Sequence, residues 1–178
     1  MDSINQQQQE RNRKNLQDQE AVEKIRELVD KGSTCFFCTK LQSGGPFSTR
    51  PMAIQEVDDE GNLWFLISND SNTYKELKED NKVQLNLQGS AHSDFFTLYG
   101  TATVNRDQAK IEELWEPTIK TWFTEGKNDP RIAVVKVAPQ GGYYWDTKNG
   151  NLVAGIKIMI GALTGQTLDD SIEGTLKV

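Results

Sequence analysis

Short segments of this chain alternate between hydrophobic and polar residues. In one of them Val83, Leu85 and Leu87 share a face, and the intervening residues Gln84, Asn86 and Gln88 take the other. A period of two is that of a β-strand with one buried face. The pattern predicts six strands, at about 34–40, 47–57, 62–68, 82–89, 94–105 and 131–139, with a short extra run at 143–145.

Other segments carry the wider spacing of a helix. Apolar residues recur every three or four positions over 18–31, and Gly32 supplies a stop signal. Two further helices are predicted at about 71–80 and 106–115, the first with Thr73 and Glu76 at the spacing of a capping box. The polar, glutamine-rich residues 1–17 predict a disordered lead, and residues 169–178 a C-terminal tail.

The order of these elements predicts a fold class. Several antiparallel strands joined by short turns, without regular alternation of strands and helices, favour a closed β-barrel or a sandwich. The 178 residues are the length of one domain, which we place at 18–168. Within it, the glycine-interrupted apolar run at 152–165 is interpreted as a packed strand or an interface segment.

Charge and hydropathy exclude some classes of protein. The net charge of -6 and the pI near 4.9 argue against a nucleic-acid surface, which needs a basic face. No apolar run approaches the roughly 20 residues of a membrane-spanning helix. The first residues lack the apolar region of a signal peptide, so a cytoplasmic protein is expected.

Cys35 and Cys38 have the C-x-x-C spacing of a redox dithiol or half a zinc site. They fall on a predicted strand, where side chains three residues apart point to opposite faces. The single histidine, His92, lies in a polar turn and is expected to be an exposed loop residue. We therefore expect buried or half-buried structural cysteines and no metal site.

A candidate anion site lies where the strand at 62–68 leads into a helix. Ser68 to Thr73 are all polar, and a helix start directs free N–H groups and a positive dipole end towards an anion. Arg50 offers a forked pair of hydrogen bonds, and Lys75 a further positive charge. The alternative is that these residues are an ordinary helix cap and a surface arginine.

An apolar slot is predicted beside this site. It would comprise the run Leu63 to Ile67 together with Met52 and Ala53 across the hairpin. The alternative interpretation is a strand that is simply buried on both faces.

The order of several motifs narrows these alternatives. They are Thr49-Arg50-Pro51-Met52, Asp59 to Phe65, Ser68 to Glu76, Tyr99 to Ala102, Trp115, Trp122-Phe123, Gly126 to Arg131, Tyr144-Trp145-Asp146 and Ala162 to Gly165. Together, over residues 18–168, they resemble the general stress protein 26 branch of the pyridoxamine 5'-phosphate oxidase-related flavin-binding split barrels. The chain departs from the family pattern at one position: it has Thr73 where the family usually has a lysine. Lys75 is nearby in the sequence.

The resemblance implies a mainly β protein with flanking helices (α+β), a six-stranded antiparallel Greek-key split β-barrel. It also implies a homodimer with two flavin sites at the interface, occupied by FMN, with FAD as the alternative. The phosphate side would comprise Arg50, Ser68, Ser71, Asn72, Thr73 and Lys75, and the ring would be framed by Met52, Ala53, Phe65, Leu66 and Ile67. Trp122, Phe123 and Trp145 are candidates to close the site from either subunit, or are core or interface aromatics.

Three functions fit this prediction: a flavin-dependent oxidoreductase using a nicotinamide or other small-molecule electron donor, a non-catalytic flavin-binding stress protein for storage or sensing, and a cofactor-free dimer. Vitamin B6 oxidation is not expected, because residues 164–171 contain no arginine or histidine to bind a phosphorylated pyridine.

Overall fold

A computed structural model describes residues 12–42, 44–90, 93–148 and 170–178 of the chain. Across these ranges nine strands are formed: β1 Leu16–Gln17, β2 Thr34–Thr39, β3 Ser48–Ala53, β4 Glu56–Val57, β5 Leu63–Ser68, β6 Lys82–Gln88, β7 Phe95–Asn105, β8 Ile132–Thr147 and β9 Ser171–Lys177. The α-helices are α1 Asp18–Lys31, α2 Asn72–Glu79 and α3 Gln108–Leu114. Two short 3₁₀ helices, Pro117–Thr121 and Gly126–Asn128, connect α3 to β8.

The strands form one mixed sheet in the order β1-β9-β8-β7-β6-β2-β3, with β5 paired to both β8 and β4. All pairs are antiparallel except β1 with β9. Only Ile54 and Gln55 separate β3 from β4, and the Gln55 N–H donates to the Trp64 carbonyl at 2.8 Å. This stretch of chain therefore carries pairing from β2 across to β5.

The mainly β, α+β class is confirmed, but the prediction of a six-stranded antiparallel barrel is wrong. The sheet has nine strands, and one pair is parallel. The additional strand β9 escaped prediction because Gly174, one of its inward-facing residues, gives no hydrophobic signal. A β-carbon there would collide with the Lys14 backbone, so the position is closed to larger residues.

The ends of the chain also differ from the prediction. Residues 12–17, expected to belong to a disordered lead, run beside β9, with Leu16 opposite Leu176 and Arg13 bridged to Glu173. Residues 171–177, expected to be a tail, form β9 itself. Backbone pairing of two sequence-distant segments leaves little local pattern. The segment 152–165 and His92 lie outside the described residues.

Strand β8 is longer than predicted. Its first half pairs with β5 and its second half with β9, while β7 pairs with both halves. The prediction stopped at Pro139 because Pro139 to Gly142 has the composition of a turn. The strand continues instead through an irregularity opposite Tyr99 and Gly100. At Gly142 a β-carbon would collide with the Thr97 carbonyl, so this glycine permits close strand approach.

Two hydrophobic clusters occupy the two sides of the sheet. The larger one includes the buried face of α1 and an edge-to-face contact between Phe37 and Phe65 at 5.2 Å. The smaller cluster packs α3 and the first 3₁₀ helix against β8. Its members are Ile111, Leu114, Ile119, Phe123, Ile132 and Val134. This second cluster fixes the chain around Trp122 beside β5.

The cysteines are buried free thiols, as predicted. Cys35 belongs to the larger core cluster, whereas the Cys38 sulfur lies 3.4 Å from the Thr49 hydroxyl. Burial, reinforced by the neighbouring Cys38, raises the pKa of Cys35 to about 12. A protonated, enclosed thiol of this kind is a packing group rather than a nucleophile.

Candidate functional site

A cavity of about 540 Å³ opens between β3, the end of β5, the start of α2 and the chain after α3. This volume lies within the range of roughly 300–1,000 Å³ that small-molecule sites occupy. Its apolar wall comprises Pro51, Met52, Ala53, Leu66, Ile67, Ile119, Trp122 and Phe123. Its polar wall comprises Arg50, Gln55, Ser68, Asp70, Ser71, Thr73 and Arg131.

The structure brings most of the predicted site residues to this cavity. Ten of them line it, counting Phe123: Arg50, Met52, Ala53, Leu66, Ile67, Ser68, Ser71, Thr73, Trp122 and Phe123. The sequence separation between β3 and the region of Trp122 is closed by the second hydrophobic cluster.

Four predicted residues do not line the cavity. Phe65 does not reach the cavity, because its side chain is buried in the core against Phe37. Asn72 and Lys75 are exposed on α2. Trp145 lies on β8, where its ring is 4.7 Å from that of Tyr143.

The helix start has the cap that the sequence predicts, but not the predicted capping box. Ser71 is the N-cap, and its hydroxyl accepts a hydrogen bond from the Tyr74 N–H at 3.1 Å. The Ser71 N–H donates to the Ser68 carbonyl. Thr73 lies within α2 rather than at the cap, and Glu76 is engaged elsewhere. A helix leaves the N–H groups of its first turn without intrahelical carbonyl partners, and here the Ser71 hydroxyl satisfies that of Tyr74.

The wall residue Arg50 forms an ion pair with Glu76 of α2, and we call these two residues the cavity-wall pair. Arg50 Nη2 lies 2.7 Å from Glu76 Oε2, and Arg50 Nη1 donates to the Thr39 hydroxyl at 3.0 Å. The Glu76 carboxylate also accepts hydrogen bonds from Thr39 at 2.6 Å and from Ser48 at 3.0 Å. Burial alone would raise the pKa of Glu76, but these hydrogen bonds and the Arg50 charge lower it, so the carboxylate is ionised.

A second arginine was missed as a site residue. Arg131 lines the cavity, and its guanidinium binds both oxygens of Asp129, at 3.0 and 2.7 Å. It also lies over the Phe123 ring at 5.9 Å. The hydrogen bonds from Arg131 lower the pKa of Asp129 to about 2. The Gly126 to Arg131 segment carries part of the family resemblance, which was the available signal.

Asp70 is the remaining charged residue of the wall that the prediction left out. Its carboxylate accepts a hydrogen bond from the Ser68 hydroxyl at 2.5 Å. The polar wall thus contains cations that are already paired with carboxylates, and one further carboxylate.

Known proteins share the fold of this chain and part of its sequence. The chain has the fold of a candidate general stress protein 26 from Jannaschia sp. CCS1, with a TM-score of 0.74, 21% identity, and coverage of 88% of this chain and 97% of that one. It is also similar to a general stress FMN/FAD binding protein from Xanthomonas citri, with a TM-score of 0.59, 25% identity, and coverage of 69% and 86%. Among curated proteins, bli-3 of Neurospora crassa is 26% identical over 121 residues, which span 62% of this chain and 58% of that protein.

The molecule is therefore a mainly β protein with the fold of the general stress protein 26 structures. The family model described as "Pyridoxamine 5'-phosphate oxidase like" matches residues 20–169, and the chain belongs to that family. The predicted family resemblance is confirmed. Within the described ranges, no helix is long and apolar enough to cross a membrane.

Proposed function

We propose that this chain is a flavin-binding general stress protein that holds FMN in the cavity of β3, β5 and α2. The observation that carries the proposal is the composition of the cavity wall, which is apolar along one side and ends at a capped helix start beside an arginine. The naming of the Xanthomonas citri relative as an FMN/FAD binding protein supports the same ligand class.

Each part of the wall suits one part of FMN. Met52, Ala53, Leu66 and Ile67 offer apolar surface to the isoalloxazine ring. The helix start at Ser71 is at the polar end, where backbone N–H groups and the dipole favour an anion. Trp122, at 69% exposure, stands at the cavity edge, where it would shield a bound ring from water.

The chemistry proposed for this site is redox chemistry on a small molecule. A bound flavin supplies the electron transfer, and the protein supplies position and electrostatics. The titratable groups of the wall suit this role better than acid-base catalysis. Arg50 and Arg131 are held in ion pairs, and Asp70 is hydrogen-bonded to Ser68. The electron donor would be a nicotinamide or another small molecule.

Flavin binding is tested by titrating the purified chain with FMN and following the flavin absorbance and fluorescence. Ala53→Trp fills the cavity and is expected to weaken binding on the order of 100-fold, about 2.7 kcal/mol. Thr103→Trp, an exposed strand position outside the cavity wall, is the matched control and should leave binding unchanged. A colourless protein that fails to bind FMN at micromolar concentration contradicts the proposal.

Turnover is tested on the FMN-loaded protein by adding NADH or NADPH without oxygen. Bleaching of the flavin band supports an oxidoreductase. If neither donor reduces the flavin, the non-catalytic function in storage or sensing is the better account.

We further propose that two copies pair through the outer face of β2, β6, β7 and β8. Phe36, Tyr99 and Trp145 are exposed there, at 57%, 56% and 42%. The strand register aligns Phe36, Asn86, Thr97 and Tyr143 in one row across the four strands, and Tyr99 and Trp145 share that face. A surface of this kind is typical of protein interfaces, which are enriched in aromatic residues. In such a dimer Trp145 would reach a flavin site from the partner subunit.

Sedimentation or light scattering tests the dimer. Tyr99→Lys places a charge in the proposed interface and is expected to shift the protein towards the monomer. Thr103→Lys puts the same charge on the same strand beyond the paired length of β6, and should not change the mass. A wild-type chain that is monomeric at micromolar concentration contradicts this proposal.

A further inference from the structure

We propose that Glu76, which contacts the cavity-lining residue Arg50, determines specificity: it neutralises Arg50 and so limits the preference for FMN over unphosphorylated riboflavin. This inference rests on the proposed function. It concerns the terminal phosphate only, because the apolar wall that would bind the ring is common to both flavins.

Arg50 is already paired with a carboxylate before any ligand binds. Its guanidinium is one of the two arginine cations that line the cavity, and it already contacts an ionised carboxylate at 2.7 Å. The Glu76 side chain is only 11% exposed, so water screens this pair weakly. A phosphate entering here would meet a neutral pair instead of an isolated positive charge.

Hydrogen bonds from β2 and β3 hold the cavity-wall pair in place. Thr39 and Ser48 lie opposite each other on β2 and β3, and both donate to the Glu76 carboxylate. Arg50 also donates to Thr39. With two strands and a helix holding the carboxylate, a ligand phosphate cannot displace Glu76 without breaking several hydrogen bonds. Two of the five Arg50 N–H groups are directed at Thr39 and Glu76, which leaves three for a phosphate.

The other charges of the wall do not restore an excess of positive charge. Arg131 is bound to Asp129, and Asp70 adds a carboxylate. Thr73 is a neutral residue of the wall, and Lys75 is exposed outside it. Lys40 lies 3.8 Å from Glu76 but is 41% exposed, so solvent screens most of its effect.

The alternative is that Glu76 orients Arg50 for phosphate binding. The two roles have opposite signs. A neutralising carboxylate lowers the affinity for a dianion, and an orienting one raises it. Removal of the Glu76 charge therefore distinguishes them.

The experiment measures dissociation constants for FMN and riboflavin in parallel, by quenching of flavin fluorescence. For the wild type, we expect the two constants to lie within about tenfold of each other. Glu76→Gln should tighten FMN about tenfold and change riboflavin less than about twofold, because Arg50 then faces the phosphate unpaired. Glu79→Gln, an exposed position of the same helix, is the control and should change neither.

Removing Arg50, alone and together with the Glu76 charge, completes a double-mutant cycle for the two residues. Arg50→Ala removes the nearest cation of the Glu76 carboxylate, leaving the exposed Lys40 at 3.8 Å, and should weaken FMN about tenfold, with little change for riboflavin. In Arg50→Ala/Glu76→Gln both charges are gone, so FMN affinity should return to within about threefold of the wild type. The circular dichroism of each variant verifies that it is folded.

Several results overturn the inference. Weaker FMN binding by Glu76→Gln would make Glu76 an orienting residue. A double variant as weak as Arg50→Ala would mean that Arg50 binds phosphate regardless of its partner. If Glu76→Gln does not fold, the wild-type ratio decides, and a preference for FMN above about 100-fold contradicts neutralisation. A wild type that binds neither flavin overturns the proposed function itself, whereas riboflavin and FMN binding with the wrong ratio overturns this inference alone.

Discussion

The cavity-wall pair and a cluster of charges beneath α1 use the same chemistry in different surroundings. In the second cluster, which we call the helix–sheet cluster, Lys31 lies 2.7 Å from Asp94 and Lys24 lies 2.6 Å from Asp146. A serine hydroxyl assists in each case, from Ser93 to Asp94 and from Ser48 to Glu76. Both regions hold an ionised carboxylate between cations and hydroxyl donors.

The difference lies in what the carboxylates face. The side chains of Asp94 and Asp146 are almost fully buried between α1 and the sheet, and their cations come from α1. These ion pairs therefore attach the helix to β8 and to the residue that precedes β7. Arg50, in contrast, lines a cavity, where a ligand can respond to its charge. The comparison indicates that one pair contributes mainly to stability and the other mainly to ligand choice.

The largest expected effect is on the helix–sheet cluster. Asp94→Asn removes the buried carboxylate that lies nearest to Lys31, which also contacts Glu27 and Asp146, and should lower the free energy of unfolding by about 3 kcal/mol. Asparagine tolerates the positive φ of 63° at this residue, so backbone strain is not added. Chemical denaturation measures the change, and flavin affinity should stay constant. Asp59→Asn, an exposed partner of Arg26, is the control, with an expected change below about 0.5 kcal/mol.

The pH dependence of stability sharpens the same point. Burial opposes ionisation of Asp94, but hydrogen bonds from Lys31, Ser90 and Ser93 lower its pKa well below the ordinary value. A lowered pKa in the folded state means that the stabilisation is present above about pH 4 and is lost as the pH falls towards the folded-state pKa. The stability gap between wild type and Asp94→Asn should shrink by about 1 kcal/mol between pH 7 and pH 3. A constant gap would show that Asp94 acts by packing alone.

A smaller effect is expected for Arg50→Lys. Lysine keeps the positive charge beside Glu76 but loses the second hydrogen bond, to Thr39. The free energy of unfolding should fall by about 1 kcal/mol, as measured by denaturation, and FMN should remain within about threefold of the wild-type affinity. A large loss of FMN binding by this variant would mean that the fork itself binds the phosphate.

The smallest expected effect is that of Ser48→Ala. It removes one of the hydrogen bonds to Glu76, at 3.0 Å, and leaves the ion pair intact. A loss of about 0.5–1 kcal/mol in unfolding free energy is expected, with the flavin constants unchanged. Thermal unfolding in the presence and absence of FMN would show whether the two quantities separate in this way.

The sequence predicts the local elements of this molecule better than the pairings that join distant segments. Helix α1 has the predicted bounds, and the strands at 34–39, 63–68 and 82–88 lie within a residue or two of the predicted ones. The periodicity of hydrophobic residues predicts these elements. It does not predict strand β9, because the pairing of β9 with β1 depends on a segment more than 150 residues away and on a glycine.

In the candidate site, too, the sequence predicts local features better than contacts between distant segments. Residues of β3, β5 and α2 line one cavity, and these elements follow one another closely in the chain. Phe65, predicted to frame the ring, packs against Phe37 in the core and does not line the cavity. Glu76 was interpreted as a cap from its spacing alone, and its true partners come from β2 and β3. Such a contact has no signature in a single sequence.

The division of β8 between two partners has a consequence for how the molecule opens. Its first half is covered by β5 and β7 and forms the side of the molecule that carries the cavity, whereas its second half depends on β9, to which β1 adds two residues. Amide hydrogen exchange should therefore begin at β1 and β9 and reach the second half of β8 next. The amides of Ile132 to Val137 would be among the last to exchange, so the terminal strands can fray without loss of the cavity.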